Sequence, residues 1–397
     1  MVRRFIVLLL GAYLAACAPR VPTAEVPPER ALEQVGPESL SLGADDLDRV
    51  SLEQAVRNSL RYYERLPADT KFRLGRDTVP LEGMKRSLET FLALLGQNSS
   101  WEELAQGVRE RFLIYQAAGK GSNHEVLFTG YYEPIIQGSL TPDEFYRFPV
   151  YGVPSDMMIV ELEKFRPQYR GIRLVGRCQG NQVVPYFSRE EIDTAGVLVG
   201  KGYELAWVAD PVALFFLQVQ GSGRIRLING DSFGVGYAAS NGRPYRSIGG
   251  VLIERGVIPP EEMSMQAIRR YLLDHPEETS EILNTNPSYV FFRKLDEGPL
   301  GSLSVPVTPG RSIATDPTVF PRGALAFIEC QKPIFAKDGV ITGWQPFARY
   351  VLNQDAGGAI RGPARVDLFW GSGPLNQTAA GHLRHEGTLF FLLLKDE

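Results

Sequence analysis

The chain has 397 residues, 44% of them hydrophobic and 22% charged, and its 42 basic residues against 46 acidic ones give a net charge of −4. That apolar stock supports a packed core and excludes a disordered, collagenous or coiled-coil chain. The near balance of charge excludes a nucleic-acid polycation and leaves little for purely electrostatic adhesion to an anionic membrane. The length favours two domains over one core, and 40 Gly with 28 Pro favour turns and short strands over long helices. Three cysteines, Cys17, Cys178 and Cys330, are too few for a disulfide framework.

At the start of the chain Arg3 and Arg4 precede an apolar run over residues 5–14, which ends in Leu14-Ala15-Ala16-Cys17. Charge, apolar stretch and small residues stand in the order of a secretory leader, and the stretch is short for a bilayer span. The tetrapeptide ending in Cys17 resembles the bacterial lipobox. That resemblance implies a signal peptide over residues 1–16, lipidation of Cys17 and, with Ala18 next, sorting to the periplasmic face of the outer membrane. Loss of Arg3 and Arg4 then takes the net charge from −4 to −6, so the acyl chains would supply the membrane affinity. Nothing in the context of Cys178 and Cys330 demands that they pair. Residues 17–43 carry Pro19, Pro22, Pro27, Pro28 and Pro37 and read as an extended tether.

From residue 45 to about 112 the apolar period is helical. Ser51 with Gln54 forms a capping-box pattern before Leu52, Ala55, Val56, Leu60 and Tyr63, and Ser100 with Glu103 repeats it before Leu104, Val108 and Phe112. Between them Met84, Leu88, Phe91, Leu92 and Leu95 recur at helical spacing, with Gly96 as a stop signal. These stripes read as core that braces another part of the molecule. Beyond Gly121 the pattern predicts strands near 126–132, 148–153, 183–187, 212–219 and 225–228, a helix over 263–274, and strands again through 301–397.

Among four histidines, His382 and His385 share i, i+3 spacing with no third ligand nearby, and neither a serine-nucleophile elbow nor a phosphate loop is present. No metal, nucleotide or other cofactor is called for. Carboxylates, amides and aromatics remain, the equipment of a carbohydrate site. Asp367 stands between Val366 and Leu368-Phe369, an apolar setting that desolvates a carboxyl and raises its pKa, as a general acid requires. Asp355, close to Gly357 and Gly358, suits a turn cap equally well. Tyr131, Tyr132, Trp207 and Trp370 offer rings to sugar faces, and Gln218, Gln220 and Ser222 offer hydrogen bonds to hydroxyls or acetamides. If residues 212–219 form a strand, alternation puts Gln218 and Gln220 on one polar face.

The runs 129–134, 218–224, 286–292, 305–316 and 355–373, in that order, resemble the membrane-bound lytic murein transglycosylase A family. The C-terminal part is similar to the module named for its three aspartates, here Asp316, Asp355 and Asp367. The resemblance implies a mainly β protein: a double-psi β-barrel domain over 44–135 and 301–397 with a helical N-terminal section, a smaller β domain inserted at 136–300, and a groove between them. It implies Asp367 as catalytic acid and base, Asp355 as its neighbour, and Tyr131, Tyr132, Gln218, Gln220, Gly221, Ser222, Asp316 and Gly358 as substrate contacts. The implied reaction cleaves the β-1,4 bond between N-acetylmuramic acid and N-acetylglucosamine without water, leaving a 1,6-anhydromuramyl end. Peptidoglycan strands are the implied partner, with no role for nucleic acid. Two other readings stay open at this level: a hydrolase using both Asp355 and Asp367, and a barrel that only binds glycan.

Overall fold

A computed structural model describes residues 27–395, apart from 41–43, 99, 297 and 359. The leader and Cys17 therefore lie outside the described residues. The proline-rich stretch before residue 43 departs from a simple tether, because β1 (Leu32–Val35) pairs antiparallel with β4 (Phe112–Ala117) and buries Ala31 and Leu32 in the main core.

Three helices follow. α1 (Arg49–Glu64) starts one turn earlier than the Ser51–Gln54 pattern predicts: Asp48 is the cap, its carboxylate accepting from the Ser51 N–H, and Gln54 reaches Asn58 instead. After a hairpin of β2 (Lys71–Leu74) and β3 (Asp77–Pro80) come α2 (Leu81–Gln97) and α3 (Trp101–Arg111), the latter with the expected Ser100–Glu103 capping box. β5 (Val126–Glu133) then enters the barrel.

The inserted part runs through β6 (Ile135–Ser139), β7 (Phe148–Tyr151), β8 (Met158–Glu161), β9 (Arg173–Gln179), β10 (Gln182–Pro185), α4 (Arg189–Asp193), β11 (Glu204–Val208) and α5 (Pro211–Gln220). It continues through β12 (Ser222–Leu227), β13 (Ser232–Ser240), α6 (Ile248–Glu254), α7 (Met265–Asp274), α8 (Pro276–Asn284) and β14 (Val290–Leu295). Its main sheet has the order β14-β13-β12-β6-β11-β7, with β8, β9 and β10 in a separate small sheet. The strand expected over 212–219 is α5. Asp210 caps it through the Val212 and Ala213 N–H groups, Pro211 stands at its first position, and Gly221 closes it at φ 75°. Leu214 and Leu217 pack on the sheet while Val212, Phe215 and Phe216 pack with the other helices. A helix covered on both sides is apolar all round, so it shows no helical period in sequence.

The chain returns with β15 (Ser312–Ala314), β16 (Leu325–Phe335), β17 (Ile341–Asp355), β18 (Arg365–Ser372), α9 (Pro374–His382) and β19 (Arg384–Leu394). Strands β19-β16-β17-β15-β18-β5 are hydrogen-bonded in that order, and β5 pairs back with β19. The molecule is thus mainly β around a closed six-stranded barrel, with parallel pairings at β15–β17 and β18–β5 and antiparallel ones elsewhere. Closure removes the free sheet edges. The barrel and α1–α3 share one core that includes Leu52, Tyr63, Leu88, Phe91, Phe327, Tyr350 and Leu368.

α1 reaches β17 with polar groups as well. The Gln354 amide donates to the Ala55 carbonyl at 2.7 Å and to Ser59 Oγ at 3.0 Å, and its oxygen accepts from Ser312. Asn353 is tied to Pro321 and Thr315. These buried side chains fix the end of β17, and the next residue is Asp355. Cys178 is exposed and Cys330 is buried, and both are free.

Candidate active site

One register row crosses five barrel strands: Asp355 on β17, Ala314 on β15, Asp367 on β18, Thr129 on β5 and Arg384 on β19. Residues directly opposite in a sheet share a face. Val366 and Leu368, the neighbours of Asp367, are fully buried in the barrel, so alternation turns Asp367 outward. The only side chain between the two aspartates in this row is the methyl of Ala314. Beside them Tyr131, Val307, Ala314 and Phe369 form a small apolar cluster on the outer face.

Asp367 and Asp355 are both half-buried: enclosed by protein yet within reach of solvent. The Thr129 hydroxyl donates to Oδ1 of Asp367. Burial is the main influence on the Asp367 carboxyl and raises its pKa to about 6; Arg365 pulls it down and the charge of Asp355 pushes it up. Burial raises the Asp355 pKa too, but its Oδ1 accepts from the Ser302 and Ala356 N–H groups, each at 2.8 Å, and these bonds favour the anion. Burial thus raises the pKa of both carboxyls, but backbone donors at Asp355 oppose it in part, while Asp367 has no backbone donor. The Tyr131 hydroxyl lies close enough to feel both charges, but has no hydrogen bond of good geometry to the protein.

The remaining expected contacts separate into groups. Tyr131 is only 9% exposed and its ring packs on Phe369 with centroids 5.0 Å apart, so it has no open face for a sugar. Tyr132 is buried as well, its N–H donating to Gln220 Oε1 at 3.0 Å. Both tyrosines shape the wall rather than stack on substrate. Gly130, just before Tyr131, leaves room for Trp370 and α9, since a Cβ there would stand 2.8 Å from the indole and 2.7 Å from Ala380. Trp207 belongs to β11 of the insert sheet.

Asp316 also takes a different part from the expected contact. It is 5% exposed, with Oδ1 accepting from the Thr318 N–H and hydroxyl and Oδ2 from the Gly362 N–H at 2.8 Å. Burial alone would raise its pKa, but these donors and Arg361 outweigh it and hold the carboxyl below its usual value. Asp316 therefore clamps the loop between β17 and β18, where Gly358 is exposed.

Gln218 and Gln220 do not share a strand face, because both lie on α5, two residues apart. Gln218 is buried; its oxygen accepts from Arg189 Nη2 at 2.5 Å, and its Nε2 has no partner. Arg189 in turn donates to the Asn286 and Ser288 carbonyls. Gly221 ends the helix and Ser222 opens β12, where the Arg224 N–H donates to the carbonyl of Pro134, just after β5, at 2.8 Å. β5 runs directly into β6, and Gln266 of α7 bonds the Gln377 carbonyl of α9. Barrel and insert are thereby joined at two places.

Three residues that the sequence reading did not single out stand here. Thr129 anchors Asp367. Arg365, two residues from Asp367 on the same strand, shares its outward face. Tyr245, 43% exposed in the insert, lies near enough for the charges of Arg365 and Arg189 to act on its hydroxyl, so it stands across from the barrel wall. Only the alternation of residues 365–369 carried a signal for Arg365, and nothing in the sequence announced Tyr245.

With this arrangement in view, the description "MltA specific insert domain" matches residues 127–293 and "3D domain" matches residues 311–393. Membrane-bound lytic murein transglycosylase A of Vibrio cholerae is 34% identical over 284 residues, 71% of this chain and 69% of the relative. The chain belongs to the membrane-bound lytic murein transglycosylase A family. The Escherichia coli K12 relative is 35% identical over 281 residues, 70% of this chain and 68% of its own. Among solved structures, a membrane-bound lytic murein transglycosylase from Agrobacterium tumefaciens has a TM-score of 0.76 at 31% identity, covering 92% of this chain and 98% of that one. Escherichia coli MltA with bound chitohexaose has a TM-score of 0.68 at 27% identity, covering 92% and 95%. The name these relatives carry associates the family with a membrane.

Proposed function

We propose that Asp367 is the single acid and base of a lytic transglycosylase that cleaves the β-1,4 bond between N-acetylmuramic acid and N-acetylglucosamine in peptidoglycan. As a member of this family the chain is a murein lytic transglycosylase, a peptidoglycan-cleaving enzyme. The observation that carries the assignment is the unequal treatment of two neighbouring outward carboxyls, Asp367 being the one without backbone donors.

Protonated Asp367 donates to the glycosidic oxygen as that bond breaks, leaving an oxocarbenium-like muramyl centre. The resulting carboxylate takes the proton from that sugar's C6 hydroxyl, whose oxygen closes on C1. The proton count balances and no water is consumed. An internal nucleophile has a large effective concentration, which is why one carboxyl suffices where hydrolases flank the bond with two. The charge of Asp355, when ionised, helps Asp367 keep its proton and stands near the positive charge that develops at C1. Thr129 fixes one Asp367 oxygen. Ser222, at the start of β12, offers a hydroxyl to acetamide or hydroxyl groups, and the exposed backbone at Gly358 gives the strand a close approach.

The two parallel pairings of the six-stranded barrel fit a double-psi topology, and the tripartite division at about residues 135 and 300 fits an inserted domain. Lipid attached to Cys17 would hold the enzyme at the periplasmic face of the outer membrane, next to its polymeric substrate. The mass of products from purified sacculi tests the reaction. Products one water lighter than hydrolysis products support it, hydrolysed reducing ends identify a two-carboxylate hydrolase, and no release identifies a binding barrel.

A further inference from the structure

We propose that Arg365 is a specificity residue: its guanidinium binds a carboxylate carried by the muramyl side of the substrate, beside the bond that Asp367 protonates. This rests on the transglycosylase reading and adds what distinguishes one sugar from the other within the groove.

The argument starts from how the chain uses its other enclosed arginines. Arg311 bonds Asp45, Ser51 and two carbonyls; Arg349 pairs with Asp46; Arg189 reaches Asp193, Gln218 and two carbonyls. Arg365 is half-buried on the outer face of β18 that it shares with Asp367, its Nε is enclosed without a partner, and no hydrogen bond or ion pair joins its guanidinium to another described residue. An enclosed guanidinium donor without an acceptor is costly. The fork-shaped group is complementary to a carboxylate, which it binds through two parallel hydrogen bonds.

The position also works against the acid. Arg365 draws Asp367 toward ionisation, the opposite of what a proton donor needs, so tuning Asp367 does not explain its presence. A substrate carboxylate would cancel that charge on binding and let Asp367 keep its proton. The other charged or titratable groups around Asp367 are Asp355 from β17, Tyr131 from β5 and, on the outer face of β19, Arg384 and Glu386. Tyr245 faces Arg365 from the insert.

Substrate chemistry supplies the matching group on one sugar only. N-acetylmuramic acid carries a 3-O-lactyl ether ending in a carboxyl, free where the peptide is absent and amide-linked where it is present, in which case acidic residues of the stem supply carboxylates. N-acetylglucosamine has neither. A guanidinium beside the acid would therefore place the muramyl unit, the one whose C6 hydroxyl must attack, on the correct side of the scissile bond.

The full-length enzyme with Arg365→Gln and Arg365→Lys tests this on peptide-free glycan strands, on the same strands with their lactyl carboxyls converted to amides, and on peptide-bearing sacculi. The neutral oligosaccharide chitohexaose serves as competitor. Arg365→Gln is expected to raise KM for peptide-free strands about tenfold to a hundredfold, the size of one charged hydrogen-bonded contact, with kcat nearly unchanged. Arg365→Lys should fall between the two. Inhibition by chitohexaose should be the same in all three proteins, which also shows that the groove is intact. Wild type acting on amidated strands should show the same rise in KM as Arg365→Gln on native ones, with a lower kcat because the Arg365 charge beside Asp367 is then uncancelled. A KM increase confined to peptide-free strands assigns the contact to the lactyl group, and one confined to sacculi assigns it to the stem peptide. An unchanged KM for both, a fall in kcat alone, or an equal loss of chitohexaose inhibition overturns the proposal. Failure of the underlying reaction would instead show in wild type, as absence of anhydro products.

Discussion

The side of the barrel that meets the helices and the side that faces the groove handle the same residue type in opposite ways. At the helices, Asp45 is buried with Arg311 and accepts from its Nη1 at 2.6 Å, from the Tyr350 N–H at 2.8 Å and from the Leu47 N–H at 2.9 Å. Its neighbour Asp46 is held by Arg349 and Lys332, which overcome the upward push of burial and keep its pKa below the usual value. At the groove, Asp367 has the Thr129 hydroxyl and an arginine with which it forms no ion pair, and its pKa rises to about 6. Burial of a carboxylate stabilises structure only where donors replace the water it loses. Where they are withheld, the same burial stores a proton at the protein surface.

The largest effect that would sharpen this comparison is on catalysis. Asp367→Asn preserves shape but has no proton to give, and release of products from sacculi should fall at least about a thousandfold, the scale of general acid–base catalysis. Parent-like digestion by this variant would place the acid elsewhere. On the other side of the barrel, Arg311→Met should leave Asp45 buried without its partner and cost about 3–5 kcal/mol of stability, read from the denaturant midpoint. The activity of the molecules that remain folded should be near normal, because Arg311 touches no groove residue.

The same pair predicts opposite signs in stability. Asp367 has a pKa of about 6 in the folded state against 3.8 as the reference, so the native protein binds the extra proton between these values. Its contribution is neutral below pH 4, worsens as pH rises from about 4 to 6, and levels off above that at up to about 3 kcal/mol if the unfolded value is normal. Asp367→Asn should therefore melt at higher temperature than wild type at pH 8, with the gap closing toward pH 4. A variant less stable than wild type at pH 8 would contradict the strained-acid account. A smaller effect is expected at Asp355→Asn: loss of its charge removes a force holding the Asp367 proton, so activity should fall about tenfold, with the alkaline limb of the pH–rate profile moving to lower pH. Equal losses at Asp355 and Asp367 would point to a two-carboxylate mechanism instead.

Much of this was legible in the chain. The apolar neighbours Val366 and Leu368 announce that Asp367 sits on a strand with a buried inner face; its raised pKa comes mainly from its own burial on the outer face. The stripes at Leu52, Ala55 and Val56 and at Met84, Leu88 and Phe91 give the bracing helices. What escaped had physical causes. α5 is apolar on every side because it is covered by the sheet and by helices, so only Asp210-Pro211 at its start and Gly221 at its end could have revealed it. Tyr131 and Tyr132 look like sugar-stacking residues in sequence, but burial is set by Phe369 and Gln220, which are distant in the chain. Asp316 is held ionised mainly by the N–H groups of Thr318 and Gly362, with help from the Thr318 hydroxyl and Arg361, and backbone donors leave no mark in a sequence. Arg365 is recognisable as part of the site only once the strand face is known.

The stored proton is open to direct observation. In protein labelled with carbon-13 at the aspartate carboxyls, the resonance missing from Asp367→Asn identifies Asp367, and its shift can be followed from pH 3 to pH 9. The account predicts a midpoint near 6, with a second, separate carboxyl transition at Asp355. A midpoint near 4, the value of an aspartate in open water, would contradict it.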